Sequence, residues 1–496
     1  MDKYEILNTY FGYDSFRHGQ EQIVDAILLG KDALGIMPTG AGKSLCFQVP
    51  AMVMDGITIV ISPLVSLMKD QVSTLVAAGV PAAFLNSSLT ERQYLKALDF
   101  AAGGKYKIIY VAPERLLTWR FQNFVEKVNI AMVAVDEAHC VSQWGQDFRP
   151  SYLDITQFVN GLKVRPIITA FTATATTRVK DDIVKMLNLN SPIQVVTGFD
   201  RKNLYYEVRK KQSKKIELMN IVREHKNESG IVYCTTRKKV EEVCQMLKEE
   251  GFKATRYHAG LEAEERKENQ EKFIYDEINI MVATNAFGMG IDKSDVRFVV
   301  HFNMPKDIES YYQEAGRAGR DGESAQCILL YSGNDVSTNK FLIENSRQNG
   351  GNELTDEKVK QQMIAQDLRR LEQIIFYCQT TECLRTYVLR YFGEDVKEGC
   401  GNCFNCYEKI TEKERKKRII ASLDGKLLNE LKKVRMKLSM AQGVPAFVVF
   451  SDASLYDMCR KLPKNDEEFL EISGVGYKKL QQYGSAFLEV INKTKP

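Results

Sequence analysis

No stretch of the 496-residue chain is apolar for long enough to span a membrane, and no charged-then-apolar leader opens it. Those two absences predict a protein that is neither embedded in a bilayer nor secreted. The eleven cysteines are scattered through most of the length, without the density of a disulfide framework. A reducing compartment, the cytoplasm, is the expectation. Long internal repeats and low-complexity segments are missing too. What is present is ordinary for soluble globular proteins, 44% hydrophobic and 27% charged residues, with length for roughly three domains.

A strong net charge is also lacking, at +4, but the total hides an uneven distribution. Tyr407 to Pro496 holds 18 Lys plus Arg against 12 Asp plus Glu, so the excess lies in the tail and the preceding residues carry −2. Its most basic patch, KERKKR from Lys413 to Arg418, reads as a solvated linker or as a polyanion contact.

The first two-thirds alternates short apolar runs with amphipathic stretches, the pattern of α/β units on parallel sheets. Strands are expected at Ile57–Ser62, Lys107–Ala112, Ala131–Asp136 and Pro166–Ala173, then at Gly230–Cys234, Ile278–Thr284, Val296–Phe302 and Cys327–Tyr331. Between the two series Asp200–Lys215 is polar and basic and reads as a hinge. After NGGNEL (Asn349–Leu354) a long helical period runs from Lys358 to Phe392, and helical spacing returns at Leu427–Leu438.

Following the apolar DALGIM, PTGAGKS (Pro38–Ser44) has the make-up of a phosphate loop opening a helix. Gly40 and Gly42 let backbone amides approach phosphate, Lys43 would reach the β- and γ-phosphates, and Ser44 would hold Mg²⁺. The general pattern wants glycine where Met37 stands. An apolar strand ending in Asp136-Glu137 supplies a metal carboxylate and a water-activating base. Arg317 and Arg320, in QEAGRAGRDG, sit one turn apart, as an arginine finger requires. Together these features imply ATP hydrolysis between two lobes. Trp144, Phe148 and Arg149 follow the acids within a few residues, as a stacking surface, or with Trp144 and Phe148 as a plug of the lobe interface.

The motifs FRHGQ, MPTGAGKS, SPLVSLMKDQV, DEAHCVSQWGQDFRP, TATAT, GIVYC, YHAGL, ATNAFGMGIDK and SYYQEAGRAGRDG occur in that order. In this the chain resembles RecQ-family DNA helicases of helicase superfamily 2 over nearly its whole length. The resemblance implies two RecA-like parallel-sheet lobes, then a helical zinc-binding module and a small all-α HRDC-like domain. It implies boundaries at 1–205, 206–345, 346–410, a basic linker at 411–423, and 424–496. Tyr13, Arg17 and Gln20 resemble the residues that read adenine, with Thr39, Gly40, Gly42, Lys43 and Ser44 around the phosphates. Asp136 matches the Mg²⁺ carboxylate, Glu137 the base, and Arg320 the finger, supported by Arg317 and Gln313. Asp292 would contact nucleotide or link the lobes. The aromatic loop would sense single-stranded DNA through Trp144, Phe148 and Arg149, with His139 passing the change to the catalytic acid.

CGNCFNC places Cys400, Cys403 and Cys406 on one loop, with Cys383 upstream. Four thiolates suit structural Zn²⁺, with an iron–sulfur cluster the chemical competitor. The resemblance favours one zinc, and leaves Cys378 as a core residue. The winged-helix domain of many members has no room between Cys406 and the tail. In the tail SGVGYKKL reads as a capping turn or as a phosphate contact by Lys478 and Lys479. The implied activity is an ATP-dependent 3′→5′ helicase on single-stranded, duplex or branched DNA, in a nucleoid-associated cytoplasmic protein that binds no membrane. An RNA helicase and a DNA-binding scaffold with a vestigial ATPase are the alternatives.

Overall fold

A computed structural model describes residues 1–63, 65–145, 147–210, 213–287, 293–348, 357–396, 399–407 and 425–493. Two parallel sheets organise it. The first contains β1 (Ala33–Ile36), β2 (Ile57–Ile61), β3 (Ala82–Leu85), β4 (Ile108–Val111), β5 (Ile130–Val135), β6 (Ile167–Thr172) and β7 (Ile193–Val196), in the order β3-β4-β2-β5-β6-β1-β7. The second contains β8 (Leu204–Arg209), β9 (Ser229–Tyr233), β10 (Ala254–Tyr257), β11 (Ile280–Ala283), β12 (Val296–His301) and β13 (Ala325–Leu330), in the order β10-β11-β9-β12-β13-β8.

Central strands such as β1, β2 and β4 are buried along their whole length, as expected where helices cover both faces. Ile27, Phe47, Met68, Tyr110 and Phe171 belong to the core of the first lobe. Leu218, Val240, Phe298 and Val300 belong to that of the second. Each fully buried side chain of this size contributes about 1.5–3 kcal/mol. Gly230 in β9 is required by a close approach, since a Cβ there would meet the Phe298 ring at 2.0 Å.

All eight expected strands are present. The hinge expected at 200–215 is corrected, because β8 lies within it. Leu204 and Tyr206 are buried, while Arg209 pairs with Glu207 at 2.8 Å and Glu217 at 3.2 Å. Paired charges disguise a strand as a polar linker. The single helical period at 358–392 is also corrected, to two helices, Glu357–Gln379 and Leu384–Tyr391, separated at Cys383.

The chain divides into two compact units, one holding residues 1–199 with the tail, the other holding residues 200–287 and 293–407 as far as described. In the first, the tail is a set of helices around Leu431, Phe450, Phe469 and Phe487. Its turn at Gly474–Gly476 meets the end of helix Lys3–Phe11, where the Gly474 N–H donates to the Gly12 carbonyl at 3.2 Å. A Cβ on Gly12 would lie 2.9 Å from three backbone atoms of that turn. In the second unit the zinc-type cysteines lie against β8. No described helix is long and apolar enough to cross a membrane.

Candidate functional site

Because β5, β6 and β1 are neighbours, the segments leaving their carboxyl ends lie side by side, where open α/β sheets bind ligands. β1 leads into the glycine loop, β5 into Asp136-Glu137 and β6 into TATAT. Met37 continues β1: it is buried, and its N–H donates to the Thr172 carbonyl at 3.0 Å. Glycine is therefore not needed there. Gly40 and Gly42 have φ of 82° and 79°, left-handed values that favour glycine.

The Lys43 ammonium donates to the carbonyls of Met37 at 3.0 Å and Pro38 at 3.4 Å. Ser44 caps the helix Leu45–Val53 without a side-chain bond. Arg17 Nη1 donates to the Gly40 carbonyl at 2.9 Å. Gln20, expected to read adenine, donates its amide to the carbonyls of Ala41 and Gly42 at 3.0 and 3.1 Å, and accepts from the Arg17 N–H at 2.8 Å. Tyr13 packs on the small cluster of Ile6, Leu7, Val24 and Val49. Thr39 stands half-buried in the loop.

Asp136 is fixed by its N–H to the Ile61 carbonyl at 2.8 Å and by Tyr152, whose hydroxyl donates to its carbonyl at 2.9 Å. Burial raises its pKa, Glu137 adds to that, and Lys43 opposes it. Glu137 has φ 49°, which costs a non-glycine residue about 1–3 kcal/mol and marks a site where surroundings impose the conformation. His139 is buried with its pKa lowered by burial, against the opposing charge of Glu137. Its Nδ1 lies 2.9 Å from Thr172 Oγ1 and 3.4 Å from Glu137 Oε2. One imidazole thus touches both the acid after β5 and the end of β6.

The aromatic segment folds back on that histidine. A Cβ on Gly145 would lie 2.3 Å from the His139 carbonyl. Arg149 donates its N–H to the Cys140 carbonyl at 3.0 Å and its Nη1 to the Pro63 carbonyl at 3.0 Å, and pairs with Asp147. Trp144 and Phe148 are half-buried. Arg178, which the sequence reading passed over, lies over the Trp144 ring at 3.4 Å. Its partner is on another element, so no local pattern reveals it.

In the second unit Gln313 lies on helix Ile308–Ala315, and Arg317 and Arg320 lie in the turn after it. Arg317 is buried against the Tyr233 hydroxyl. Asp292 and the basic linker 411–423, with Lys413–Arg418, lie outside the described residues.

Cys383, Cys400, Cys403 and Cys406 bring their sulfurs within 4.8 Å of one another, and Cys378 is buried elsewhere. The Cys383 and Cys403 sulfurs are 3.8 Å apart. A tetrahedron with Zn–S of about 2.3 Å has edges of about 3.8 Å, so the donor set and its spacing fit zinc. Four protein ligands leave no open position, which makes the metal structural. Cys403 bridges to Tyr206 of β8, and Asn402 donates to the Lys202 carbonyl at 3.1 Å. Arg385 donates to Asp200 at 2.7 Å and to the carbonyls of Arg201 and Leu204. In the tail, Lys479 lies over the Phe450 ring at 5.6 Å, where burial lowers its pKa to about 8, and Lys478 lies against Gly79. Of the two lysines of SGVGYKKL, Lys479 is the more buried and Lys478 is exposed.

Residues 17–183 match the DEAD/DEAH box helicase family, 213–322 the helicase conserved C-terminal domain, 333–407 the RecQ zinc-binding family and 424–491 the HRDC domain. The chain is 38% identical to the ATP-dependent DNA helicase RecQ of Bacillus subtilis, covering 98% of each, and 34% identical to that of Pasteurella multocida, covering 99% of this chain and 94% of the relative. Those alignments run over 588 and 605 residues against a chain of 496, so both relatives hold residues with no counterpart here. The structure of Mycobacterium smegmatis helicase Lhr bound to ssDNA and AMP-PNP is similar in fold, with TM-score 0.54 and 17% identity over 74% of this chain and 56% of that one. With four family models matched along its length and relatives of this identity over nearly all of it, the chain belongs to the RecQ family of ATP-dependent DNA helicases.

Proposed function

We propose that this helicase translocates 3′→5′ along single-stranded DNA and unwinds duplex or branched DNA in repair, recombination and replication. Lys43 and Ser44 hold the phosphates and Mg²⁺ of ATP, with Thr39, Gly40 and Gly42 giving the loop its shape. Asp136 binds the metal, Glu137 orients the attacking water, and Arg320, supported by Arg317 and Gln313, stabilises the transferring phosphoryl group. Tyr13, Arg17 and Gln20 form the adenine side, and Asp292 contacts nucleotide or links the lobes. Ser44 and Asp136 would hold Mg²⁺, which would supply charge stabilisation on the phosphates. The division follows 1–205, 206–345, 346–410, 411–423 and 424–496, with the first boundary moved from 205/206 to 199/200 so that β8, which starts at Leu204, stays whole. The eleven cysteines form no disulfide, which suits a reducing cytoplasm, and a DNA substrate would place the protein close to the nucleoid.

The observation that carries this reading is His139, in reach of Glu137 and Thr172 while its own carbonyl supports the loop of Trp144, Phe148 and Arg149. Bases stacking on such aromatics gain about 1–3 kcal/mol each without sequence preference. A shift of the loop passes through His139 to the water-orienting acid, so DNA gates hydrolysis. Two assays test it. ATP turnover is compared with single-stranded DNA, with RNA and with neither; equal stimulation by RNA favours an RNA helicase, and none favours a scaffold. Duplexes with a 3′ or a 5′ single-stranded tail are then compared, and preferential unwinding of the 5′-tailed duplex overturns the polarity.

A further inference from the structure

The helix Thr177–Met186 starts directly after TATAT and holds the aromatic loop at two places. Asp182 accepts from the Ser142 hydroxyl at 2.5 Å, and that hydroxyl accepts from the Trp144 N–H at 3.1 Å, which fixes the root of the loop. Arg178, one turn earlier, lies over the Trp144 ring at 3.4 Å, which fixes the tip. The two holds differ in kind. Asp182 is half-buried and hydrogen-bonded, whereas Arg178 is exposed, with solvent as a ready alternative.

We propose that Arg178 is a positioning residue that latches the sensor loop, and that single-stranded DNA opens the latch by exchange. A base takes the ring face that the guanidinium covers, and the guanidinium moves to a backbone phosphate. Each side of the exchange keeps a partner: the indole trades a cation for a base, and the arginine trades a ring for a charge-assisted hydrogen bond. A neutral ligand supplies no phosphate, and a mononucleotide lacks the phosphates of neighbouring residues, so a strand, with a phosphate on either side of the stacked base, is the ligand that best satisfies both. With the tip released and the root still held by Asp182, the loop pivots about Ser142. The segment against the His139 carbonyl moves, and His139 with it. The latch rests on the sensor reading given above, and the test separates the two.

The chain has two tryptophans, Trp119 and Trp144, so Trp119→Phe makes Trp144 the only indole. In that background an oligothymidylate of about 20 nucleotides shifts the Trp144 emission. Arg178→Ala shifts it in the same direction before DNA is added, raises DNA-independent ATP hydrolysis roughly 2- to 30-fold, the range of a single cation–π contact, and lowers the fold-stimulation by DNA to match. Arg178→Lys keeps the charge but not the planar stack, and moves the same way. If Arg178→Ala does not fold, the lysine variant decides. Native emission, native basal rate and native stimulation in the folded variants overturn the latch. An oligothymidylate that leaves Trp144 emission unchanged while Arg178 is present overturns the sensor reading itself.

Discussion

Lys43 donates to two carbonyls of its own loop, so its removal should leave the fold of the loop largely to its glycines and to Met37. Lys43→Ala should abolish ATP turnover and leave binding of single-stranded DNA within a few-fold, measured by fluorescence anisotropy; parallel loss of both would point to misfolding. Gly145 gives a more local test. Its missing Cβ is what allows the loop to lie on the His139 carbonyl, so Gly145→Ala should destabilise the lobe by about 1–3 kcal/mol and reduce DNA stimulation of the ATPase. Unchanged melting and unchanged stimulation would remove the contact from the mechanism. Among the aromatics, Phe148→Ala should spare basal hydrolysis and reduce the response to DNA, read as the ratio of rates with and without an oligonucleotide. Motif residues were legible because each has a fixed chemical task at a fixed offset from a strand end. Arg178 was not, because a ring contact between a helix and a loop leaves no spacing signal.

At the scale of elements, apolar runs revealed most of the strands that are buried on both faces, while five were passed over, among them β1, read only as the apolar segment before the glycine loop. β7 is mostly exposed, β3 and β10 are four residues long and half-exposed in part, and β8 carries charges paired in space. The break between the two zinc-module helices was hidden as well, since the apolar period continues through Cys383. The cysteine cluster itself was readable from its spacing, but its attachment was not. Arg385 and Asn402 tie the module to carbonyls from residues 201 to 204. Metal analysis should find about one zinc per chain and no iron–sulfur absorption. Cys403→Ser should lower soluble yield and melting temperature steeply, because structural zinc supplies on the order of 10 kcal/mol. A variant without metal and with native melting would show the site to be ornamental to folding.

For the whole molecule, the tail joins the first lobe by a backbone contact at Gly12 and Gly474, while its excess positive charge lies partly in the linker. A chain ending near residue 410 should keep ATPase stimulated by single-stranded DNA, since the motor motifs are complete by Gly322. It should bind DNA with a shallower dependence on salt, as fewer phosphates are neutralised, and lose more unwinding than hydrolysis. Identical salt slopes for the full and shortened chains would make the tail's charge a solvated face. The zinc loop has a consequence of another sort. β8 borders its sheet, and the loop at Cys403 is what lines its outer side. Once chelation loosens that loop, a row of unpaired backbone groups faces water, a template on which the strand of a second molecule can add. Metal loss should then appear first as light scattering that grows with protein concentration, ahead of any loss of helical signal, so the ion protects the solubility of the helicase as well as its fold.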